Sequence, residues 1–406
     1  MTGEPAAAAS FLTPDYGRYW MGSMATHMAF QMQTVVLGWY VLERTDSALW
    51  VGVVAGAHGL PMLLLAPLVG MLADVTRRQS LIAIALTGAG TTIALIALVI
   101  ALGLEAPWHL VLVAFVLGSG FTLYAPARLA LLPNLLPAGA LLRASTVEYS
   151  STRVVGFIGP ALAGLLVDSV GVWRTLLVQA GLFAMAARIF LGTGRAVGAA
   201  AAGWQSGFRP LRSLHEAIVY LRSDPPLFAL FMLGVFTVPV GMAYLKLLPV
   251  LARDVLGAGA SSLGTMVGVV SLGTALSGFV LAAIGDRFPK GPAVMVTALA
   301  YGGMLIVLST RREVTEAIAV LFVLGLLAGV FLTLTNVLLQ SRADDRVRGR
   351  IMALYGMVWG SVPLLTFVAG LFAEFYGVTV VIAAMGVLCA LACVVMMTRG
   401  SALKAL

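Results

Sequence analysis

The sequence predicts an all-α membrane protein in which twelve transmembrane helices form two pseudo-symmetric six-helix bundles. The first observation is composition: of 406 residues, 60% are hydrophobic and only 10% are charged, whereas a soluble domain carries about 25% charged residues. The second is a series of apolar runs long enough to cross a bilayer. The third is a charged hairpin that occurs twice, with its copies about half a chain apart. A chain of this composition can bury its apolar surface only in lipid.

The apolar runs number twelve, each with about 20 or more residues. They cover 19–42, 48–72, 81–102, 108–131, 142–167, 172–191, 227–251, 263–284, 293–309, 317–339, 351–375 and 378–397. We therefore predict an N-terminal six-helix bundle over 14–192, a cytoplasmic linker over 193–226 and a C-terminal six-helix bundle over 227–398. Apolar residues recur at helical spacing in the linker, which predicts an amphipathic helix from Arg209 to Arg222.

The charged hairpin joins the second and third runs. Gly70 allows two helices to approach closely, and Asp74 can accept hydrogen bonds from a neighbouring helix N-terminus. Arg77 and Arg78 hold the loop on the cytoplasmic side of the membrane. The weaker copy lies 212 positions later and contains Asp286 and Arg287. This repeat predicts a duplicated transporter with two similar halves and a gating role for both hairpins.

The basic residues predict the orientation. If both termini are inside, six of the 25 Lys and Arg residues fall on the outer side: Arg44, Arg174, Lys246, Arg253, Arg311 and Arg312. Lys and Arg accumulate on the cytoplasmic side of membrane proteins, so we predict that both termini are cytoplasmic. The net charge of +8 is explained by these short clusters, and nucleic acid is not an expected partner.

Ionisable residues inside the spans are candidates for function because they are costly in lipid. Glu148, in the fifth span, is the only carboxylate clearly within a span, and it is the first candidate for proton coupling. His27 and His58 are the next candidates. The alternative for Glu148 is a salt bridge of the gate, made with Arg128 or Arg153. The residues alone leave both interpretations open.

Further polar or adaptable side chains share helix faces and are predicted to line a substrate cavity or to bridge helices. These candidates are Met28, Gln31, Thr34, Tyr124, Arg128, Arg153, Thr237, Tyr244, Thr333 and Asn336. We expect Gln31 and Asn336 to face the central cavity from opposite halves.

The hairpin resembles the signature loop of the major facilitator superfamily, Gly-x-Leu-Ala-Asp-Arg-x-Gly-Arg-Arg. The matching residues are Gly70, Leu72, Ala73, Asp74 and Arg78. Val75 replaces the usual Arg, and Arg77 takes the place of the usual Gly. The resemblance covers nearly the whole chain. It implies that Asp74 and Arg78 lock the cytoplasmic side against the end of the eleventh span in the outward-facing state.

Three further stretches resemble branches of this superfamily. Gly156, Gly159, Pro160 and Gly164 resemble the Gly-Pro motif of drug–proton antiporters, for which ordinary helix packing is the alternative. The segments 125–128 and 348–353 resemble the branch that contains enterobactin exporters and macrolide efflux proteins. The Arg that many drug antiporters carry in the fourth span is missing between Trp108 and Leu123.

The resemblance implies a secondary active transporter of the bacterial inner membrane, with proton-coupled efflux of amphipathic small molecules, drugs or siderophore-like metabolites, by alternating access. An importer or a lipid flippase is the alternative within transport, and a non-transporting membrane sensor or scaffold is the alternative from another class. We identify no nucleotide-binding loop, metal-ligand cluster or Ser-His-Asp arrangement, so no enzyme activity, metal or cofactor is expected. The expected form is a monomer whose partners are a small-molecule substrate, protons and the lipid bilayer.

Overall fold

The computed structural model describes residues 13–137, 139–193, 210–285 and 288–399, without the side chains of 66–75, 210–214 and 397–399. Within these ranges the chain forms α1 (Pro14–Thr45), α2 (Ala48–Val75), α3 (Arg78–Ala101), α4 (Pro107–Leu131), α5 (Leu141–Val170), α6 (Val172–Leu191), α7 (Pro210–Ser223), α8 (Pro225–Val250), α9 (Ala260–Ile284), α10 (Lys290–Thr310), α11 (Val314–Arg342), α12 (Asp345–Tyr376) and α13 (Val378–Arg399). A short 3₁₀-helix extends α4, and a π-helical turn extends α8 over Leu251–Val255.

Eleven of these described helices are long and apolar enough to cross a membrane. The 32-residue α1 is more polar and completes the twelve. We call the end of the structure at which α1 begins the inner end and the opposite end the outer end.

The helix termini follow from local capping chemistry. The hydroxyl of Thr13 accepts a hydrogen bond from the backbone N–H of Tyr16 (3.1 Å), which starts α1. At the outer end, α5 stops at Gly171 (φ 85°) and α12 stops at Gly377 (φ 84°). Glycine reaches this left-handed region without the steric cost of a Cβ atom. The chain therefore reverses direction at each of these glycines, and the next helix begins immediately and runs back towards the inner end.

The two halves repeat one packing pattern. In the first half α1 packs on α5 and α6, α2 on α4, and α3 on α6; in the second half α8 packs on α12 and α13, α9 on α11, and α10 on α13. The 212-residue spacing of the charged hairpins also separates the starts of α2 at Ala48 and α9 at Ala260. The predicted fold, two pseudo-symmetric six-helix bundles, is confirmed.

The linker contains the amphipathic helix α7, one residue further along than predicted. Its Ala217 and Leu221 are buried, and its Glu216 pairs with Arg350 of α12. The next helix, α8, begins at Pro225, slightly before the predicted start at Leu227. The reason is local: the carboxylate of Asp224 accepts a hydrogen bond from the backbone N–H of Leu227 (3.2 Å) and caps the helix.

The halves meet along two helix pairs, α2 with α12 and α5 with α9. Glycines bring the backbones together in both pairs. A Cβ atom on Gly370 would lie 2.7 Å from the Cα atom of Gly52, and one on Gly264 would lie 2.2 Å from the carbonyl oxygen of Pro160. Among the residues that the structure describes, the side-chain hydrogen bonds that join the halves lie in the outer part of the structure. The structure is therefore closed at its outer end.

Candidate functional site

An ion pair joins α4 and α5 near the inner end. The guanidinium of Arg128 contacts the carboxylate of Glu148, and their side chains are only 13% and 7% exposed. The hydroxyl of Tyr19, on α1, lies 3.1 Å and 3.3 Å from the two carboxylate oxygens and donates to the carboxylate. Of the two partners that the sequence leaves open for Glu148, the structure shows Arg128. Three helices of the first half thus meet at one buried charge pair.

Aromatic rings enclose this pair. The Arg128 guanidinium lies over the ring of Tyr124, 5.8 Å from its centroid. The ring of Phe190 stands edge-on to Tyr19 (6.0 Å) and to Tyr124 (6.2 Å). Apolar rings exclude water, and charges interact more strongly where the local dielectric is low. A change in the protonation of Glu148 would therefore disturb a strong interaction.

Two other predicted charged or titratable residues form their hydrogen bonds within their own helices. Arg153 stacks on Tyr149 (4.6 Å) and donates to its hydroxyl (2.5 Å), so its contacts stay within α5. The Nδ1 atom of His27 lies 2.9 Å from the carbonyl oxygen of Ser23, one turn earlier in α1. Neither residue forms an ion pair with Glu148.

A cavity of about 230 Å³ lies nearer the outer end, between α1, α2, α4 and α8. Its lining includes Gln31, Thr34 and His58, three of the residues predicted from the sequence, together with Lys246. The Lys246 ammonium lies 3.4 Å from the Thr34 hydroxyl and is positioned to donate to it. The amide nitrogen of Gln31 lies 3.5 Å from the carbonyl oxygen of Gly156. Polar groups from both halves therefore meet in this cavity.

Three of the predicted cavity residues lie in the bundle cores instead. Tyr124 and Tyr244 are each 1% exposed, and Thr237 is 3% exposed. The stripe of α8 that carries Thr237 and Tyr244 packs towards α10, where the Tyr301 hydroxyl donates to the carbonyl of Gly241 (2.6 Å). Residues on one helix stripe share a direction, but the sequence does not show which neighbouring helix that stripe meets.

The other predicted cavity residues lie outside the lining of this cavity. Asn336 donates from Nδ2 to the carbonyl of Leu332 on its own helix (2.8 Å), and Thr333 is exposed. The sulfur of Met28 lies against Gly159, where an added Cβ atom would be 3.3 Å away. The expectation that Asn336 faces the cavity opposite Gln31 stays a prediction.

The Gly-Pro motif of α5 lies on the surface where the halves meet. A Cβ atom on Gly164 would lie 2.2 Å from the carbonyl oxygen of Ala260, and one on Gly159 would lie 2.8 Å from the Cβ atom of Gln31. Gly156 faces both Gln31 and Ser271. The motif thus packs α5 against α1 within its half and against α9 of the other half.

The charged hairpin is described only in part. Gly70 and Asp74 belong to the last turns of α2, and their side chains lie outside the described part of the chain, as do Asp286 and Arg287. Arg77 is exposed. Arg78 donates from Nη1 to the carbonyl of Ala130 (2.6 Å), which ties the hairpin to α4 close to Arg128. The gating role of both hairpins stays a prediction.

Two carboxylates close the outer end in symmetric positions. Asp168, at the end of α5, accepts hydrogen bonds from the backbone N–H groups of Ala260 (3.2 Å) and Ser261 (2.9 Å) at the start of α9. Glu374, at the end of α12, accepts from the hydroxyl of Ser47 (2.9 Å) and the backbone N–H of Leu49 (3.0 Å) at the start of α2. Each half thus caps a helix of the other. A carboxylate stabilises a helix N-terminus by binding its unpaired N–H groups and by complementing the helix dipole.

An ion pair adds to this closure. Arg253, in the turn after α8, pairs with Asp46 and donates from Nη1 to the carbonyl of Leu42 (2.8 Å). We did not predict these outer contacts from the sequence. A signal exists for the two carboxylates: an acidic residue stands three positions before the terminating glycine in Asp168–Gly171 and again in Glu374–Gly377.

The sequence was compared with known proteins. A family profile described as "transmembrane secretion effector" matches residues 6–405. The macrolide efflux protein A of Streptococcus pyogenes is 22% identical over 88% of this chain and 89% of its own length. The staphyloferrin A transporter of Staphylococcus aureus is 22% identical over 86% and 87%. The multidrug efflux pump Tap of Mycobacterium tuberculosis is 27% identical over 87% of each chain.

The fold has a clear counterpart among solved structures. A bacterial homologue of the human lysosomal transporter Spinster, in an inward-facing and unoccupied conformation, superposes with a TM-score of 0.75 at 15% identity, over 97% of this chain and 98% of that one. This likeness concerns the fold. The family match covers both bundles and agrees with the resemblance seen in the signature loop. The chain therefore belongs to the transmembrane secretion effector family of the major facilitator superfamily.

Proposed function

We propose that this protein is a proton-driven exporter of amphipathic small molecules in the bacterial inner membrane, with both termini in the cytoplasm. The observation that carries the proposal is the family match over both bundles. Relatives that match along most of the chain are named for macrolide and multidrug efflux. The family and these relatives are transporters rather than enzymes. The chain is a multi-pass membrane protein that handles a small-molecule substrate.

The bundles 14–192 and 227–398 would move against each other to give alternating access. With the outer end closed by Asp168, Glu374 and Arg253, a substrate would enter from the inner side. Separation of α2 from α12 and of α5 from α9 at the outer end would then release it. A substrate drives this exchange when it binds the two states with different affinity.

The Arg128–Glu148 pair is the proposed coupling site. Protonation of Glu148 in the present state would leave the buried Arg128 without its counter-charge, which is costly. Protonation is therefore favoured in a state in which Arg128 gains water or another partner. The proton and the conformation are linked in this way, so a proton gradient can drive the cycle.

The test is transport by Glu148→Gln in proteoliposomes, with a panel of amphipathic compounds and with or without an imposed proton gradient. We expect wild-type flux to rise when the gradient is imposed. Flux in the variant should stay at the level without a gradient, while substrate binding is retained, because glutamine cannot exchange a proton. An unchanged response to the gradient would remove Glu148 from the coupling mechanism.

A double variant separates coupling from structure. Arg128→Met combined with Glu148→Leu removes both charges, and replacing a buried ion pair with apolar residues of similar volume is often neutral for stability. If the pair only supports the fold, the double variant should keep gradient-driven transport. We expect it to lose gradient-driven transport and to keep its thermal stability.

A further inference from the structure

Among the described residues, the lining of the cavity near the outer end contains a single charged side chain. Lys246 reaches it from α8, whereas the rest of its lining comes from α1, α2 and Phe121 of α4. Among the described residues, no ion pair between Lys246 and an acidic side chain is found. From the sequence, Lys246 was assigned to the outer side. In the structure, its side chain lines this cavity from the outer part of α8, before the π-helical turn that ends at Val255.

The Lys246 side chain is half-buried. Withdrawing a lysine ammonium from water in this way is costly unless an anion or several acceptors satisfy it. Its three N–H groups can all donate, and the structure gives one hydrogen bond, to the Thr34 hydroxyl at 3.4 Å. This bond is long for a charged donor. Lys246 therefore has donor capacity that the described residues do not use.

Neighbouring polar groups point to the same ligand chemistry. The Nδ1 atom of His58 is buried without a hydrogen-bond partner. The amide of Gln31 donates only over a long distance, 3.5 Å. The Gln31 amide can donate to an oxygen anion, and the imidazole ring of His58 adds a polar edge to the lining. The donors come from both halves of the protein, so a ligand held by them would bridge the halves.

Two aromatic rings form part of the apolar wall of the cavity. Phe30 and Phe121 stand edge-to-face with their centroids 5.1 Å apart, and both line the cavity. Aromatic walls favour a flat ring or a compact apolar body. A pocket with apolar walls and a few convergent polar groups is the usual form of a small-molecule site.

We propose that this cavity binds organic anions, specifically amphipathic carboxylates, with the carboxylate on Lys246 and Gln31, beside the ring of His58, and the apolar body against Phe30 and Phe121. The proposal rests on the proposed function in one respect: it takes this cavity as a substrate site of the transporter. It adds a substrate class, because a cationic compound would be repelled by Lys246.

The test compares two probes that share one ring system and differ in the headgroup: 1-naphthaleneacetate carries a charged carboxylate and 1-naphthaleneacetamide a neutral amide. Their binding is measured on the purified full-length protein by scintillation proximity, in phosphatidylcholine nanodiscs and without any gradient. Wild-type protein should bind the carboxylate at least about tenfold more tightly than the amide, since a hydrogen bond to a charged partner is worth about 1.5–3 kcal/mol. Binding equilibrium needs no transport, so a failure of the proposed efflux activity would not change this result.

Three variants distinguish a ligand role of Lys246 from a structural one. Lys246→Gln keeps a donor for Thr34 and removes the charge, so the preference for the carboxylate should fall to about equal binding while amide affinity is unchanged. Lys246→Arg should keep the preference. Arg311→Gln removes a charge at the outer end, where Arg311 pairs with Glu316, and it should bind both probes as wild type does. Size-exclusion profiles and thermal midpoints show whether each variant is folded.

An anionic lipid headgroup offers the same chemistry as a solute carboxylate. Nanodiscs that contain phosphatidylglycerol provide the second arm of the experiment, and carboxylate binding should persist in them. Loss of binding there would identify the lipid as the occupant and overturn a solute site. Equal binding of the two probes by wild type, no binding of either, or an undiminished preference in Lys246→Gln would also overturn the proposal.

Discussion

Replacing Gly264 with alanine will prevent closure of the outer end and will reduce transport. The new Cβ atom would lie 2.2 Å from the carbonyl oxygen of Pro160 and 3.2 Å from the Cα atom of Ala161. Backbone atoms of α5 cannot yield as the end of a flexible side chain can, so the two helices must separate. Overpacking of this kind costs about 1–3 kcal/mol, which shifts the equilibrium towards the outward-open state by roughly five- to 150-fold.

Gly278→Ala is the matched control, because Gly278 lies on the same helix and has nothing within 4 Å of an added Cβ atom. Spin labels on Leu104 and Tyr376, exposed positions at the outer ends of opposite halves, report the opening by pulsed electron paramagnetic resonance. We expect longer label distances and slower transport in Gly264→Ala, and wild-type behaviour in Gly278→Ala. Equal distances in both variants would show that α5 and α9 do not need this close approach.

Removing both outer carboxylates, in Asp168→Ala with Glu374→Ala, should produce a second shift towards the outward-open state. Each carboxylate caps a helix of the opposite half, and loss of a helix cap costs about 1 kcal/mol. Together they should shift the equilibrium by roughly 30-fold. Each single variant should shift it by about the square root of that factor, because the two sites are far apart and independent effects add as free energies.

Glu313→Ala combined with Glu316→Ala is the control for net charge. These residues lie at the outer end of the second half, and Glu316 pairs with Arg311 of that same half. The control should leave the label distances on Leu104 and Tyr376 unchanged. If the control opens the outer end as far as the Asp168→Ala, Glu374→Ala double variant does, a general effect of net charge rather than helix capping explains the opening.

Helix content and the duplicated fold could be predicted because both follow from local properties of the sequence. The predicted spans agree with the helices to within six residues at each end, and the amphipathic helix was displaced by only one residue. The partner of Glu148 could not be predicted in this way. Arg128 and Arg153 are both basic residues that could form a salt bridge with Glu148. Only the packing of three helices brings Arg128 to the carboxylate.

The outer contacts were missed for a different reason. Asp168 and Glu374 lie at helix ends, where charged residues are common. Apart from the Ser47 hydroxyl, the partners that the structure shows for them are backbone N–H groups, which carry no sequence signal. Their equivalent positions before Gly171 and Gly377 form a weak second repeat, which becomes informative once the first repeat is known. Lys246 was counted with the outer side, and an apolar run does not reveal that its side chain lines a cavity.

The central claim, proton-driven export by alternating access, is tested most directly by measuring the pH inside proteoliposomes during transport. A pH-sensitive dye is enclosed, no gradient is imposed, and a transported compound is added outside. The account predicts that entry of the compound makes the lumen more alkaline, because protons leave in exchange, and that Glu148→Gln abolishes this change. Entry of the compound at the wild-type rate with a constant lumenal pH would contradict it.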